Sequence, residues 1–300
     1  MFHRRSLPPR LASRQQKDHA KMSLEGMGDR SRERMMISME RCLTTLLAPL
    51  GRAVLRFCTA CGRCLLFLTE TVRKGLFPPY YGTQIGQQML QIGYHSLPVI
   101  GLTSVFTGAV LALQSYTGFS RFSAESALPT LVVLCMTREL GPVIAGLMFA
   151  GRVGATIAAE IGTMKVTEQI DALSTLSTCS YKYLYWPRIL AGLVTLPLLV
   201  LVADILGVLG GYFVSVHQLG FRGEQYLKMT RQFLIAEDVI SGLIKAAFFG
   251  LSTSLMGCYY GARSTGGAAG VGRTTMNAVV ASSILILCLN YLLTTILFHK

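Results

Sequence analysis

Long apolar runs dominate the chain, and their lengths predict helices that cross a membrane. Crossing the roughly 30 Å hydrocarbon core takes about 20 predominantly apolar residues of helix. Five runs meet that length, at residues 96–119, 127–161, 189–216, 239–261 and 276–298. The predicted fold class is therefore an all-α polytopic membrane protein, with a single membrane-embedded domain over residues 41–300.

The second apolar run is interrupted by two charged residues and a proline, at Arg138, Glu139 and Pro142. Proline lacks the backbone N–H and strains a helix interior. The run therefore forms either one tilted helix kinked at Pro142 or two half-spans in a re-entrant pair. We favour one kinked helix.

The segment before the first span has a different pattern, which covers residues 43–77 and ends at Pro78. Leucines such as Leu46 and Leu50 recur at helical spacing, and arginines such as Arg52 lie between them. This pattern predicts an N-terminal amphipathic helix in the membrane interface. An ordinary amphipathic helix packed on protein is the alternative.

Residues 1–40 form a polar, basic leader that is poor in aromatic residues, and we expect it to be disordered. No apolar segment follows its first arginines, which argues against a secretory signal peptide. The stretch before Asp18 has four arginines and no acid, a composition that also fits an organelle transit peptide. A bacterial and an organellar origin both stay open.

The distribution of basic residues predicts how the chain is oriented in the membrane. Residues 1–75 hold 15 of the 28 lysines and arginines. With the N-terminus inside, the cytoplasmic segments carry 20 basic residues and the opposite side carries five. Basic residues are enriched on the cytoplasmic side of membrane proteins. We therefore expect a multi-pass protein of the bacterial inner membrane with a cytoplasmic N-terminus, or alternatively of an organelle inner envelope.

Composition and motifs argue against several other classes of protein. Charged residues make up 14% of the chain, against about 25% in globular domains. The net charge of +13 comes without a nucleic-acid motif, so no nucleic-acid partner is expected. The chain has neither a G-x-x-x-x-G-K-[ST] phosphate loop nor an H-E-x-x-H pair. We therefore expect a non-enzyme, with no catalytic residue and no cofactor in this chain.

Three of the eight cysteines, Cys58, Cys61 and Cys64, have a spacing that resembles a metal or iron–sulfur site. No nearby histidine or cysteine supplies a fourth ligand. On a helix these positions share one stripe, so burial on a common face accounts for the spacing without a metal. We expect no metal site, and whether the three cysteines bind anything stays open.

Charged residues inside the spans are the first candidates for function. They are Arg138, Glu139, Arg152, Asp204 and Lys245. A charge within the membrane is expensive, so such groups pair with one another or line a polar cavity. Arg138 either holds a lipid phosphate, whose geometry suits the guanidinium donors, or forms a structural ion pair with Glu139 or a neighbouring acid.

Small residues recur at intervals of four in the second and third runs. They are Gly154, Ala158 and Gly162, followed by Ala203, Gly207 and Gly211. Small residues at this spacing let helix backbones approach closely in lipid. We expect these positions to pack helices and to take no part in chemistry.

Between the second and third runs the chain turns polar. Four charged residues at 160–173 are interspersed with apolar ones: Glu160, Lys165, Glu168 and Asp171. The pattern predicts a short amphipathic helix on the cytoplasmic side, too polar to span. Such a helix docks in a groove of a soluble partner, or it lies flat on the membrane, where its acids would meet anionic lipid unfavourably. We favour docking.

The block RELGPVIAGLMFAGRVGATIAAEIGTMKVTEQIDAL, at residues 138–173, resembles the signature of the MlaE-type permeases of MCE-associated ABC transporters, which include the chloroplast-envelope lipid permease. The resemblance extends over about residues 45–298. It includes Leu-Pro-Leu-Leu at 196–199, Gly-Gly-Tyr at 210–212 and the glycine-rich stretch at 265–272. The leader over 1–40 lies outside it.

The resemblance implies a homodimeric permease that moves phospholipid or a related lipid between membranes. Its implied partners are a cytoplasmic ABC ATPase, which binds the ATP, and an MCE-domain lipid-binding protein. The segment from Glu160 to Leu173 would be the coupling helix seated in the ATPase. Arg138 and Glu139 match the charged pair of the family motif, and the lipid cavity would lie at the dimer interface between the first and last spans.

Two other functions stay open on physical grounds. A proton-coupled secondary transporter would use Asp204, Glu139 and Lys245 as a relay, and a non-transporting membrane scaffold would hold partners without a lipid site. The sequence shows no convincing internal repeat, which disfavours the first. Charges kept inside the spans disfavour the second.

Overall fold

The computed structural model describes residues 51–52, 54–56, 58–78, 81–122 and 125–298. The predicted leader over 1–40 and the first part of the predicted interfacial helix, 43–50, lie outside these residues. The chain divides into two compact units, Met1–Leu65 and Leu66–Lys300. In the first unit, residues 51–52, 54–56 and 58–65 are helical, and the second unit begins with helical residues 66–75.

Five helices are long and apolar enough to cross a membrane, and here they are called spans 1 to 5. They are Gly82–Phe119, Leu128–Val166, Tyr181–His217, Ala236–Gly261 and Gly267–Leu297. Shorter helices, Gln169–Thr175 and Gly223–Phe233, follow spans 2 and 3. All regular structure in the described part of the chain is helical. The predicted all-α fold with five spans and an N-terminal helix is confirmed.

Four of the five spans, all but span 2, begin earlier than the apolar runs that predicted them. Span 1 begins at Gly82 and not at 96, span 3 at Tyr181 and not at 189, and span 5 at Gly267 and not at 276. The added turns carry polar residues such as Gln88 and Arg188. A hydropathy pattern stops at such residues, whereas a helix continues wherever its backbone stays hydrogen-bonded.

Span 2 is helical from Leu128 to Val166 without a break, so the chain does not form two re-entrant half-spans here. Two π-helical turns interrupt its α-helical geometry, at Met136–Leu140 and Ala150–Gly154. A π turn inserts one extra residue and is frequent at functional sites. Both turns carry intramembrane charges.

Span 3 packs against spans 1, 2 and 4, and span 4 packs in turn against spans 2 and 5. Glycines permit the closest approaches. A Cβ on Gly108 of span 1 would lie 1.8 Å from the carbonyl oxygen of Gly207 in span 3. A Cβ on Gly250 of span 4 would lie 2.2 Å from the carbonyl oxygen of Gly192 in span 3. Larger residues at these positions would push the helices apart.

The other small residues singled out by spacing also lie between helices. A Cβ on Gly154 would meet Thr253 at 3.1 Å, and one on Gly211 would meet Val132 at 2.8 Å. Ala158 and Ala203 are fully buried, and Gly162 faces Ser264 and Val271. These positions occupy the contacts of span 2 with spans 4 and 5 and of span 3 with spans 1 and 2.

Aromatic residues hold the 66–75 helix against the start of span 3. Phe67 lies 5.8 Å from Tyr181 and 5.2 Å from Tyr185, measured between ring centroids. Lys74 Nζ lies 4.2 Å above the Tyr181 ring, within range of a cation–π interaction. Lys74 also bonds Glu70 at 2.5 Å, and this hydrogen bond holds the pKa of Glu70 below its usual value.

Candidate functional site

Glu139 lies in the first π turn of span 2 and bonds to side chains of two other spans. Its Oε1 accepts hydrogen bonds from Lys245 Nζ of span 4 at 2.8 Å and from Thr294 Oγ1 of span 5 at 3.0 Å. Its Oε2 accepts one from Asn290 Nδ2 of span 5 at 2.9 Å. Lys245 is fully buried. The cluster ties three spans together through charge-assisted hydrogen bonds.

Lys245 also compensates for the proline in span 2. Pro142 has no N–H to donate to the carbonyl of Arg138, four residues before it. Lys245 Nζ donates to that Arg138 oxygen at 2.9 Å. The neighbouring N–H, that of Gly141, donates to Met136 O and closes the π turn. The ammonium thus serves both the carboxylate and a carbonyl that the proline leaves without its helical donor.

The acid that pairs with Arg138 is Asp238, and not the adjacent Glu139. The Arg138 Nε lies 3.4 Å from Oδ1 of Asp238, in the first turn of span 4. Consecutive residues of a helix point in different directions, so Arg138 and Glu139 do not face each other. The motif's two charges therefore form separate ion pairs with span 4, and the partner of Arg138 is a distant acid. A role of Arg138 in holding a lipid headgroup stays a prediction.

Asp204 of span 3 lies against the same π turn. Its side chain is buried, and neither carboxyl oxygen has a hydrogen-bond partner among the described residues. A Cβ on Gly141 would lie 1.9 Å from its Oδ1, so only glycine leaves room for the carboxyl. Consequently no hydrogen bond in the described part of the chain links Asp204 to Glu139 or Lys245, as a relay of these three groups would require.

The predicted helix over 160–173 is two helices in the structure. Span 2 continues to Val166, and a second helix, Gln169–Thr175, begins after a bend. Glu168 forms the bend with φ at 61°, a left-handed conformation that costs a non-glycine residue about 1–2 kcal/mol. Ile170, just after the bend, is buried, with 8% of its surface exposed.

The four charged residues predicted for coupling have three different environments. Glu160 Oε2 lies 2.9 Å from Nη2 of Arg188 in span 3. Lys165 Nζ lies 3.0 Å from Asp171 Oδ1, across the bend. Glu168 is exposed, and its carboxylate has no partner among the described residues. Asp171 is exposed as well, so Glu168 differs from it in having no ion-pair partner among the described residues.

The second π turn carries Arg152, and its setting differs from that of Arg138. Its guanidinium forms no hydrogen bond or ion pair within the described part of the chain. It lines a cavity of about 190 Å³ between spans 1 and 2.

Sequence patterns missed several members of these sites. They are Asp238, Asn290 and Thr294 around the first π turn, and Arg188 beside Glu160. Asn290 carried a usable signal, because an amide within an apolar run calls for a partner. Thr294 carried no such signal, because a threonine in a helix can donate its hydroxyl to a carbonyl of the same helix, as Thr295 does to Tyr291 O.

The cysteine triplet shows no metal-binding geometry. Cys58 and Cys61 are exposed and Cys64 is half-buried, and none of the three forms a disulfide within the described part of the chain. Among the described residues, no cluster of three or more histidine, cysteine or acidic side chains is placed to hold a metal ion.

Five membrane-spanning helices joined by intramembrane ion pairs define a polytopic membrane protein, of the class in which transport permeases are found. The family model "Permease MlaE" matches residues 85–296. The chain belongs to the MlaE permease family.

Individual relatives cover most of the chain. A Rickettsia bellii protein described as a probable ABC transporter permease is 55% identical over 256 residues, 85% of this chain and 99% of that protein. The Haemophilus influenzae intermembrane phospholipid transport system permease protein MlaE is 33% identical over 258 residues, covering 85% and 98%. The chloroplastic TRIGALACTOSYLDIACYLGLYCEROL 1 protein of Arabidopsis thaliana is 35% identical over 213 residues, covering 71% and 61%.

Proposed function

We propose that this chain is the membrane permease subunit of an ABC-type transporter that moves phospholipid or a related lipid between membranes. The observation that carries the proposal is membership of the MlaE family over residues 85–296. A relative whose name states intermembrane phospholipid transport aligns over 98% of its length. The ion pairs of span 2 with span 4 and its hydrogen bonds with span 5 fit a permease that must expose polar headgroups to a membrane interior.

The permease is not itself an enzyme, and ATP is bound and hydrolysed by a separate cytoplasmic ATPase. The other proposed partners are an MCE-domain lipid-binding protein and a second copy of this chain. Span 5 supports the second copy, because large apolar side chains such as Met276, Val280 and Ile284 are exposed along it. In a homodimer this stripe would face the partner copy or the lipid between the two.

The bend after span 2 is the proposed contact with the ATPase. Glu168 and Leu176 are exposed there, and Leu176 is 74% exposed. The ion pair between Lys165 and Asp171 restrains the bend, and the pair between Glu160 and Arg188 links it to span 3. A displacement of the bend by the ATPase would therefore reach two spans directly.

The proposed location is a bacterial inner membrane, with the N-terminus and the bend after span 2 in the cytoplasm. The charge asymmetry supports this orientation. An organelle inner envelope is the alternative location, and the orientation would be equivalent there.

A proton-coupled secondary transporter remains the second candidate, because Asp204 is a buried carboxyl without a partner among the described residues. It is the weaker candidate, since the relay would need Asp204 to reach Glu139 or Lys245. A pH gradient without ATP would drive such a transporter.

The first test is purification of the tagged full chain in mild detergent, with mass spectrometry of bound proteins and lipids. We expect an ATPase, an MCE-domain protein and phospholipid. The recovered complex, reconstituted in vesicles, should transfer phospholipid when ATP is added. Transfer that follows a pH gradient and ignores ATP would overturn the proposal in favour of the second candidate.

The substitution Glu168→Lys tests the docking surface. It reverses the exposed charge at the bend and breaks no ion pair among the described residues. We expect co-purification of the ATPase to fall at least about tenfold, because like charges juxtaposed at an interface cost several kcal/mol. Glu224→Lys, in the exposed first turn of Gly223–Phe233, is the matched control on the predicted opposite side. Equal recovery of the ATPase with both variants would remove the bend from the interface.

A further inference from the structure

We propose that the cavity around Arg152 is a binding site for a phosphate group. This phosphate group is either part of a phospholipid headgroup or soluble inorganic phosphate. The site is distinct from the ion pairs at the first π turn, and its choice of ligand rests on the proposed lipid transport. It deepens that function by placing one headgroup contact between spans 1 and 2.

Most of the residues that line the cavity have polar side chains, although the cavity lies between two membrane spans. Span 1 contributes Gln88, Gln91, His95 and Ser96 to its lining, and span 2 contributes Arg152, Thr156 and Glu160. Its volume of about 190 Å³ is below the roughly 300–1,000 Å³ of pockets that enclose drug-sized ligands. A phosphate-bearing headgroup fits within such a volume, and acyl chains would have to stay in the bilayer.

An uncompensated cation lines the cavity. Arg152 has no acidic partner in the described part of the chain, whereas Arg138 of the same span has Asp238. Glu160 is the cavity's acid, and Arg188 holds it at 2.9 Å. Within the described part of the chain, the positive charge of Arg152 therefore has no counter-charge. A planar guanidinium with five donors matches the oxygens of a phosphate group.

A second donor points to a ligand independently of the charge. Ser96 is 2% exposed, and its Oγ has no hydrogen-bond partner among the described residues. A buried hydroxyl without a hydrogen-bond partner is unfavourable, and a bound acceptor would remove that cost. Membrane-helix serines ordinarily bond a carbonyl of their own helix, as Ser283 does with Val279 O.

The rim suits entry from the side of the bilayer. Gln91, His95 and Thr156 are exposed, whereas Ile92, Val153 and Ile157 form a buried apolar floor. His95 Nδ1 lies 2.9 Å from Gln91 O, and in this contact the ring nitrogen donates to the carbonyl. The Thr156 hydroxyl already bonds Arg152 O at 2.8 Å, so it takes no part in recognition.

Photo-crosslinking in the full chain tests the site. A photoreactive amino acid replaces Thr156 at the rim and, as a control, Leu198 on an exposed face of span 3. The protein is reconstituted in vesicles of phosphatidylglycerol and phosphatidylethanolamine with added diacylglycerol, which lacks phosphate. We expect position 156 to capture phospholipid in preference to diacylglycerol, and position 198 to capture both.

The substitution Arg152→Gln should lower phospholipid capture at position 156 about tenfold or more, since a hydrogen bond to a charged group contributes about 1.5–3 kcal/mol. Ser96→Ala should lower it about fivefold through the loss of one donor. Arg121→Gln, which removes an exposed arginine outside the spans, should leave it unchanged. If Arg152→Gln does not fold, Arg152→Lys and Ser96→Ala carry the test.

Excess inorganic phosphate distinguishes the two sources of the ligand. If phospholipid capture at position 156 persists in excess phosphate, the site binds the lipid headgroup. If excess phosphate abolishes this capture, the site binds soluble phosphate. Capture at 156 that ignores both phosphate and the substitutions at Arg152 and Ser96 overturns the site. Crosslinking needs no ATPase, so the two proposals can fail separately. ATP-driven lipid transfer without phospholipid capture at position 156 would overturn this site alone. Phospholipid capture at position 156 without lipid transfer would overturn the proposed function alone.

Discussion

The two π turns of span 2 carry the same kind of residue in opposite settings. Arg138 and Glu139 in the first turn are both held by acid or amine groups of span 4. Arg152 in the second turn has no partner among the described residues and opens on a polar cavity. An intramembrane charge that has an ion-pair partner on another span helps to hold the spans together. A charge left unpaired inside a membrane span is available to a ligand.

The largest effect should follow from breaking the pair at the first turn. Lys245→Met removes the ammonium from a fully buried position and leaves the Glu139 carboxylate without its cation. We expect the free energy of unfolding to fall by about 3–5 kcal/mol, because removing one partner of a buried pair leaves an uncompensated charge. Thermal unfolding in detergent, followed by circular dichroism, measures it.

The control for that variant is Lys228→Met, on the exposed face of Gly223–Phe233, which should change stability by less than about 0.5 kcal/mol. Adding Glu139→Gln to Lys245→Met should restore part of the loss. No restoration would mean that the two groups do not interact.

A smaller effect should follow from removing one hydrogen bond of the same cluster. Thr294 and Thr295 both bond a backbone carbonyl of their own helix, but only Thr294 also donates to Glu139. We expect Thr294→Val to lower the free energy of unfolding by about 1 kcal/mol and Thr295→Val to lower it less. Equal losses in the same detergent assay would show that the Glu139 contact adds nothing.

The smallest effect on stability should come from the second turn. Arg152→Gln breaks no ion pair in the described part of the chain, so we expect the free energy of unfolding to change by less than about 0.5 kcal/mol. ATP-driven lipid transfer by the reconstituted complex should nevertheless decrease. A stability loss as large as that of Lys245→Met would show that Arg152 is a structural residue, and the contrast between the two turns would then fail.

Much of the family assignment was accessible from the sequence, because the block at 138–173 is a continuous signature. The resemblance it carries is confirmed by the match over residues 85–296. The limits of the spans were less accessible, as span 1 begins 14 residues before its predicted start. Polar residues such as Gln88 and Gln91 end a hydropathy run, yet in the helix they line a cavity.

The coupling segment shows a different limit. Sequence spacing predicted one helix over 160–173, whereas Glu168 adopts a left-handed conformation and divides it. No glycine or proline marks the break, so local propensity gave no signal for it. The burial of Ile170 and the ion pair of Lys165 with Asp171 accompany the bend, and neither is visible in a local pattern.

The sequence by itself determined that this protein spans the membrane five times. Lipid cannot satisfy backbone polar groups, so an apolar run of sufficient length must become a helix whatever surrounds it. Only the tertiary structure decided which charges are paired. Glu139 meets Lys245 106 residues away and Asn290 151 residues away, while the Arg152 guanidinium meets no partner among the described residues. Each partner depends on which helix faces end up in contact, and the packing of all five spans fixes those faces together.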